Sequence, residues 1–173
     1  MIADDQVALL FIAGNHSIAA AVEHHSTRVL DLLNDVQSAM MNVQGAAIFS
    51  GLRGAPTAEF PASTIQKSAI DCVIFTEDRH EAPLRRKFGF VDKQTHSAFV
   101  LIGNYEIRGS AMLERSADPQ LLLNSQASAF FPVVAASVTD ASDAAQHLSA
   151  SVVFVNKQKV ALLEIDRRAV ATS

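Results

Sequence analysis

Two stretches of the chain indicate how it is organised, because they are two versions of one sequence. Residues 32–48 read LLNDVQSAMMNVQGAAI, and residues 122–138 read LLNSQASAFFPVVAASV. Seven of the 17 aligned positions are identical, where composition alone would give roughly one. The offset of 90 residues between them indicates an internal duplication.

The similarity continues in the same order on both sides of these stretches. Downstream, 65–67 aligns with 155–157, so that Lys67 meets Lys157. Upstream, 14–18 aligns with 103–107 after an apolar segment in each copy. We therefore expect a first repeat over 1–80, a charged connector over 81–96 and a second repeat over 97–173.

The elements of each repeat are predicted to be mostly β-strands. In the second copy, an apolar strand over 99–102 is followed by a Gly103-Asn104 turn and a return strand over 106–113. Gly109 inside the return strand predicts a bulge or a sharp bend. Residues 118–124 and 27–34 each predict one helical turn. The expected fold is all-β, with two tandem small five-stranded barrels, because closure protects short strands from exposed edges.

Two motifs carry a family resemblance. The Gly103-Asn104 turn followed by Ile107-Arg108-Gly109, and the stretch Lys67-Ser68-Ala69-Ile70, resemble the Sm-like fold of bacterial Hfq-type and eukaryotic LSm proteins. Ser68 and Gln158 stand where the Hfq-type pattern has histidine. The resemblance implies a ring built through the fourth and fifth strands of each barrel, and it implies RNA binding.

Composition narrows the function classes. The chain has 173 residues, 49% of them hydrophobic, and a net charge of −4. This composition excludes a disordered polyampholyte and argues against a protein that coats nucleic acid. The single cysteine, Cys72, excludes an intramolecular disulfide, and its apolar surroundings predict a buried side chain. Without a basic signal segment or a long apolar run, we expect a cytoplasmic location.

The sequence contains no motif of a known catalytic class, which predicts a non-enzymatic protein without a cofactor. The six histidines are not spaced as metal ligands, and no metal site is predicted. A small-ligand binder or enzyme with a pocket between the barrels is one alternative. Its candidate residues are Arg28, Asp31 and Arg108.

Edge strands are the preferred candidates for function. Ile65, Val153 and Val155 lie on predicted apolar edges, where a second copy of the chain or another protein could add a strand. The protein is therefore expected to act as a scaffold, accessory subunit or regulator. An RNA-binding module is the other alternative, and its candidate contacts are Lys67, Arg85, Arg86, Lys87 and Lys157, with Phe88 and Phe90 for stacking.

Overall fold

The fold was analysed in a computed structural model of the chain. The structure describes residues 6–25, 27–75, 93–114, 119–124 and 128–166. The predicted contacts Arg85, Arg86 and Lys87, with most of the predicted connector, lie outside these residues.

The first half contains five strands and one short helix. Strand β1 is apolar throughout after Gln6, and a Gly14-Asn15 turn, with Gly14 at a φ of 59°, returns the chain into β2. Helix α1 follows, and a 3₁₀ turn at Lys67–Ala69 separates the last two strands. The elements are β1 (Gln6–Ala13), β2 (His16–Glu23), α1 (Val29–Asn34), β3 (Met40–Ser50), β4 (Ala58–Gln66) and β5 (Cys72–Phe75).

The second half repeats this order, with a 3₁₀ turn at Lys157–Lys159. Its first strand begins at Lys93, four residues before the predicted start of the second repeat. The elements are β6 (Lys93–Ile102), β7 (Tyr105–Glu114), α2 (Pro119–Asn124), β8 (Phe130–Asp140), β9 (Asp143–Asn156) and β10 (Val160–Ile165).

All ten strands belong to one antiparallel sheet. Its order is β10-β6-β7-β8-β9-β5-β1-β2-β3-β4. The all-β prediction is confirmed, but the strand pairing does not show two separate closed barrels. The last strand of each half does not pair with the fourth strand of the same half. Instead, β5 pairs with β9 of the other half, which leaves β4 and β10 as the two outer edges of the sheet.

Strand register shows that the two halves are built alike. Met41 pairs with Ile65 in β3–β4, and Phe131 pairs with Val155 in β8–β9, exactly 90 residues later in both strands. The other seven pairs of the β3–β4 ladder keep the same offset, and the β8–β9 ladder continues for two further pairs. The first hairpins match at an offset of 89, as the sequence alignment predicts.

Gly109 lies at the predicted irregularity. The β7–β8 register shifts between Arg108 and Ser110, and β2–β3 shifts at the equivalent place. A Cβ at Gly109 would come within 2.8 Å of the Val134 carbonyl oxygen and 2.7 Å of the Val133 side chain. The glycine therefore permits the close approach of β7 and β8 at this irregularity.

Two main cores lie in the described part of the chain. The first is centred on Phe11, Val43 and Val73, and it also takes up Phe130 and Phe154 from the second half. The second is centred on Val100, Ile107 and Val133, and it takes up Ile12, Cys72 and Ile74 from the first half. A smaller cluster of Ala98, Ala111, Leu113 and Ile165 lies next to the β10 edge. Each main core thus includes side chains from both halves.

Candidate functional site

The pairing of β5 with β9, hereafter the internal junction, joins the two halves. Its register runs from Cys72 opposite Val155 to Phe75 opposite Val152. The Asn156 N–H donates to the Asp71 carbonyl oxygen at 2.9 Å. Since hydrogen-bonded and non-hydrogen-bonded pairs alternate in an antiparallel ladder, Val73 forms a hydrogen-bonded pair with Phe154.

The internal junction is buried on both faces of the sheet. On one face, Cys72 and Ile74 lie opposite Val155 and Val153, and all four side chains are completely buried in the second core. On the other face, Phe154 enters the first core. This extensive apolar contact makes the two halves a single packed unit.

Polar side chains complete the internal junction at its end. The Asn156 side-chain amide donates to the Ile70 carbonyl oxygen at 2.8 Å. Asn34, the last residue of α1, bonds both main-chain groups of Phe130. These bonds satisfy main-chain groups that the strand ladder leaves unpaired.

The duplication assigns the same roles to the outer strands. Strand β4 is equivalent to β9, and β10 is equivalent to β5. The equivalent side chains are exposed at these edges: Leu162 is 47% exposed and Cys72 is 0% exposed. Met40 is 47% exposed, whereas its equivalent Phe130 is 2% exposed. Strands β4 and β10 are thus equivalent to the two strands of the internal junction. Within the described chain, neither has a partner on its outer side.

At both outer edges, alternate residues direct their main-chain N–H and C=O groups away from the sheet, and these residues are equivalent to a hydrogen-bonded pair of the internal junction. The Lys67 N–H donates to the Ala39 carbonyl oxygen, so the main chain of Thr64 in β4 points away from β3. The Asp166 N–H donates to the Ser97 carbonyl oxygen, so the main chain of Leu163 in β10 points away from β6. Thr64 and Leu163 are the equivalents of Phe154 and Val73, which bond each other in the internal junction.

The outer edges are more polar than the internal junction. Glu164 stands where β5 has Ile74, and Ser63 stands where β9 has Val153. A groove of about 290 Å³ next to β10 is lined by residues that include Phe99, Arg108 and Glu164. The Arg108 guanidinium lies 4.5 Å from the centre of the Phe99 ring. A contact at this edge would therefore have a charged component that the internal junction lacks.

One of the three predicted edge residues lies on an outer edge strand, and the other two lie in the internal junction. Ile65 is buried against the first core and lies on the outer strand β4. Val153 and Val155 are not at an outer edge, and this expectation is corrected. They pair with β5 inside the chain, because the two halves join through β9. Three further residues of the β10 edge were not predicted, although the offset of 90 connects them with the apolar strand β5: Leu162, Leu163 and Glu164.

The predicted RNA-contacting lysines take part in internal hydrogen bonds. The Lys67 Nζ donates to the Leu32 carbonyl oxygen at 2.5 Å and to the Asp35 carbonyl oxygen at 3.1 Å. The Lys157 Nζ donates to Ser128 Oγ at 3.0 Å. Burial lowers the pKa of both ammonium groups, and Asp35 opposes this effect at Lys67. At Lys67 these bonds satisfy carbonyl groups at the end of α1, where the helix has no partners of its own.

The other candidate residues form no chemical centre. Arg28 and Asp31 make an i,i+3 ion pair of 2.7 Å on α1, and Arg108 pairs with Glu106 at 3.1 Å, so the three candidates are not brought together. Burial raises the pKa of the Cys72 thiol, with a further contribution from Asp71, which disfavours the reactive thiolate. Among the residues described, no group of three metal-ligating side chains comes together.

A second groove, of about 430 Å³, lies between the end of β2, helix α1 and the start of β3. Its lining includes Glu23, His25, Met40, Asn42 and Lys67. The groove is open to solvent on one side. None of the helices in the described ranges has the length and apolar character needed to cross a membrane.

In comparisons with known proteins, no family model, curated protein or solved structure matches the chain. The two outer edges, and the internal junction that relates them, are therefore the features of the chain that bear on its function.

Proposed function

We propose that this chain is a non-enzymatic, cytoplasmic protein that assembles with itself by pairing β4 of one copy with β10 of the next. The observation that carries this proposal is the internal junction. The chain already contains one working contact between a fourth strand and a fifth strand, and the duplication supplies the same two strands again at opposite ends of the sheet.

The proposed register follows from the internal junction by adding or subtracting 90 residues. Cys72 opposite Val155 becomes Leu162 opposite Ile65 of a second copy, and Ile74 opposite Val153 becomes Glu164 opposite Ser63. The outward main-chain groups of Thr64 and Leu163 then form the hydrogen-bonded pair. Strand addition of this kind gains affinity from the main chain and specificity from alternate side chains.

The small cluster beside β10 supports the same arrangement. In the first core, Phe130 and Phe154 from the other half pack against the side chains of β1, β5 and α1. Among the described residues, the equivalent cluster around Leu113 and Ile165 has four buried members. In the proposed assembly, Met40 and Thr64 of a second copy take the places that Phe130 and Phe154 occupy in the first core.

The contact is head-to-tail, because it joins two different edges. Such contacts generate closed rings when their rotation closes and filaments when it does not. We further propose that each half is a small curved five-stranded unit of the Sm-like kind. The bent strand at Gly109 and the lysine-led turns at Lys67 and Lys157 support this resemblance.

Proline variants of the two edges test the proposal. Leu163→Pro removes an outward N–H from β10, and Thr64→Pro removes one from β4; neither N–H takes part in strand pairing among the described residues. Sedimentation velocity should find assemblies larger than one chain for the wild type and single chains for each variant alone. An equimolar mixture should form a dimer and nothing larger, because each variant retains one intact edge.

Far-UV circular dichroism and urea unfolding serve as fold controls for both variants. A wild-type chain that remains a single chain at every concentration would contradict the proposal. Continued assembly by either folded variant alone would contradict the β4–β10 pairing.

A further inference from the structure

Asn34 binds the open main-chain groups of Phe130 at the start of β8, next to the internal junction. Its Nδ2 donates to the Phe130 carbonyl oxygen at 3.1 Å, and its Oδ1 accepts from the Phe130 N–H at 2.7 Å. Phe130 lies beyond the last pair of the β7–β8 ladder, which ends at Ser110 opposite Val134. The amide thus bonds the residue as a neighbouring strand would, using a donor and an acceptor together.

The duplication places the same two groups at the outer edges. Asn124 ends α2 as Asn34 ends α1, and its side chain is exposed. Met40 begins β3 as Phe130 begins β8. Because Ala39 and Lys67 form a hydrogen-bonded pair, the main chain of Met40 points away from β4. Ser38 Oγ donates to the Met40 carbonyl oxygen at 2.7 Å, which leaves that oxygen a second lone pair.

We infer that Asn124 of one copy binds the main-chain N–H and carbonyl oxygen of Met40 in a second copy. This inference rests on the proposed function, and it adds a recognition element outside the paired strands. The contact determines the register of assembly. A slip by one residue between β4 and β10 would move Met40 by about 3.3 Å along the strand, beyond the reach of a hydrogen bond.

Alanine variants at the two asparagines test the inference. Asn124→Ala should raise the dissociation constant for self-association about tenfold, since two hydrogen bonds are lost. At concentrations below the dissociation constant, where the protein is a single chain, its urea midpoint should stay unchanged, because the bonds lie between chains. The matched control, Asn34→Ala, should lower the urea midpoint, because its bonds lie within the chain.

A cross-linking readout tests the register directly. Chains carrying Ser63→Cys are mixed with chains carrying either Glu164→Cys or Leu162→Cys, a position displaced by two residues on the same face. In the Asn124→Ala background, the cross-linking yield of the displaced pair should rise relative to that of the matched pair.

The outcomes separate the inference from the proposed function. A wild-type chain that never associates overturns both. Association of Asn124→Ala within twofold of the wild type, with an unchanged preference for the matched cross-link, overturns the inference alone.

Discussion

Replacing Glu164 by isoleucine should strengthen self-association. Glu164 occupies the position in β10 that Ile74 occupies in β5, and Ile74 is completely buried opposite Val153. In the proposed assembly, the Glu164 carboxylate faces Ser63 at the edge of the first core of a second copy. Glu164→Ile restores the apolar residue of the internal junction at this position.

The size of the effect follows from the burial of Ile74. Complete burial of an isoleucine side chain contributes about 2 kcal/mol, and this free energy corresponds to about a 30-fold lower dissociation constant. Glu164→Gln is the matched control, because it removes the charge without adding apolar surface. We expect Glu164→Gln to strengthen association by a factor of about three, since exposed charge interactions contribute little.

Sedimentation equilibrium over a range of concentrations measures both dissociation constants. At concentrations below the dissociation constants, the urea midpoints of the variants should stay close to the wild-type value, because Glu164 is exposed in the single chain. Equal dissociation constants for Glu164→Ile and the wild type would refute the reasoning, since the side chain would then lie outside the contact. Weaker association of Glu164→Ile would refute it as well.

Three further predictions concern the single chain. Ile74→Glu should lower the free energy of unfolding by about 3–5 kcal/mol, because it places an unpaired carboxylate in the second core; a urea midpoint close to the wild-type value would contradict this. Burial, with the nearby Asp140 carboxylate, raises the pKa of Tyr105 to about 12. The contribution of this group to the free energy of unfolding is therefore complete below pH 10 and is lost as pH rises from 10 to 12. Tyr105 is the single tyrosine of the chain, so alkaline absorbance titration reads it directly, and Tyr105→Phe should lose this part of the pH dependence; an ordinary pKa of about 10 would contradict the prediction. A titration with single-stranded RNA should show no salt-sensitive affinity, since Lys67 and Lys157 use their ammonium groups internally; affinity that falls with added salt would favour the RNA-binding alternative.

The internal duplication could be predicted from the sequence, but the pairing of β5 with β9 could not. The paired stretches 32–48 and 122–138 predicted equal elements in both halves, and the strand registers agree with this alignment. Gly109 also marked its bulge, since only a residue without a Cβ fits so close to the Val134 main chain. These features are local, so sequence patterns can identify them.

The connection between the halves depends on which edge meets which, and no local pattern specifies that. The apolar sequence of β9 is typical of an edge strand that pairs with another chain. In the structure, β9 pairs instead with β5 of the same chain. Val153 and Val155 were therefore predicted at an outer edge and lie inside. The lysines at 67 and 157 had a similar ambiguity, because a solvent-directed cation and a helix-capping cation look the same in sequence.

Cysteine cross-linking shows whether β4 of one copy pairs with β10 of the next in the register of the internal junction. Chains carrying Ser63→Cys are mixed with chains carrying Glu164→Cys under mild oxidation. In the proposed register these residues form a non-hydrogen-bonded pair with Cα atoms about 4.5 Å apart, which suits a disulfide. Burial keeps Cys72 from reacting. Covalent dimers should form in this mixture, and they should not form when Thr64→Cys replaces Ser63→Cys, because that side chain points to the opposite face. The absence of dimers, or equal yields in both mixtures, would contradict the account.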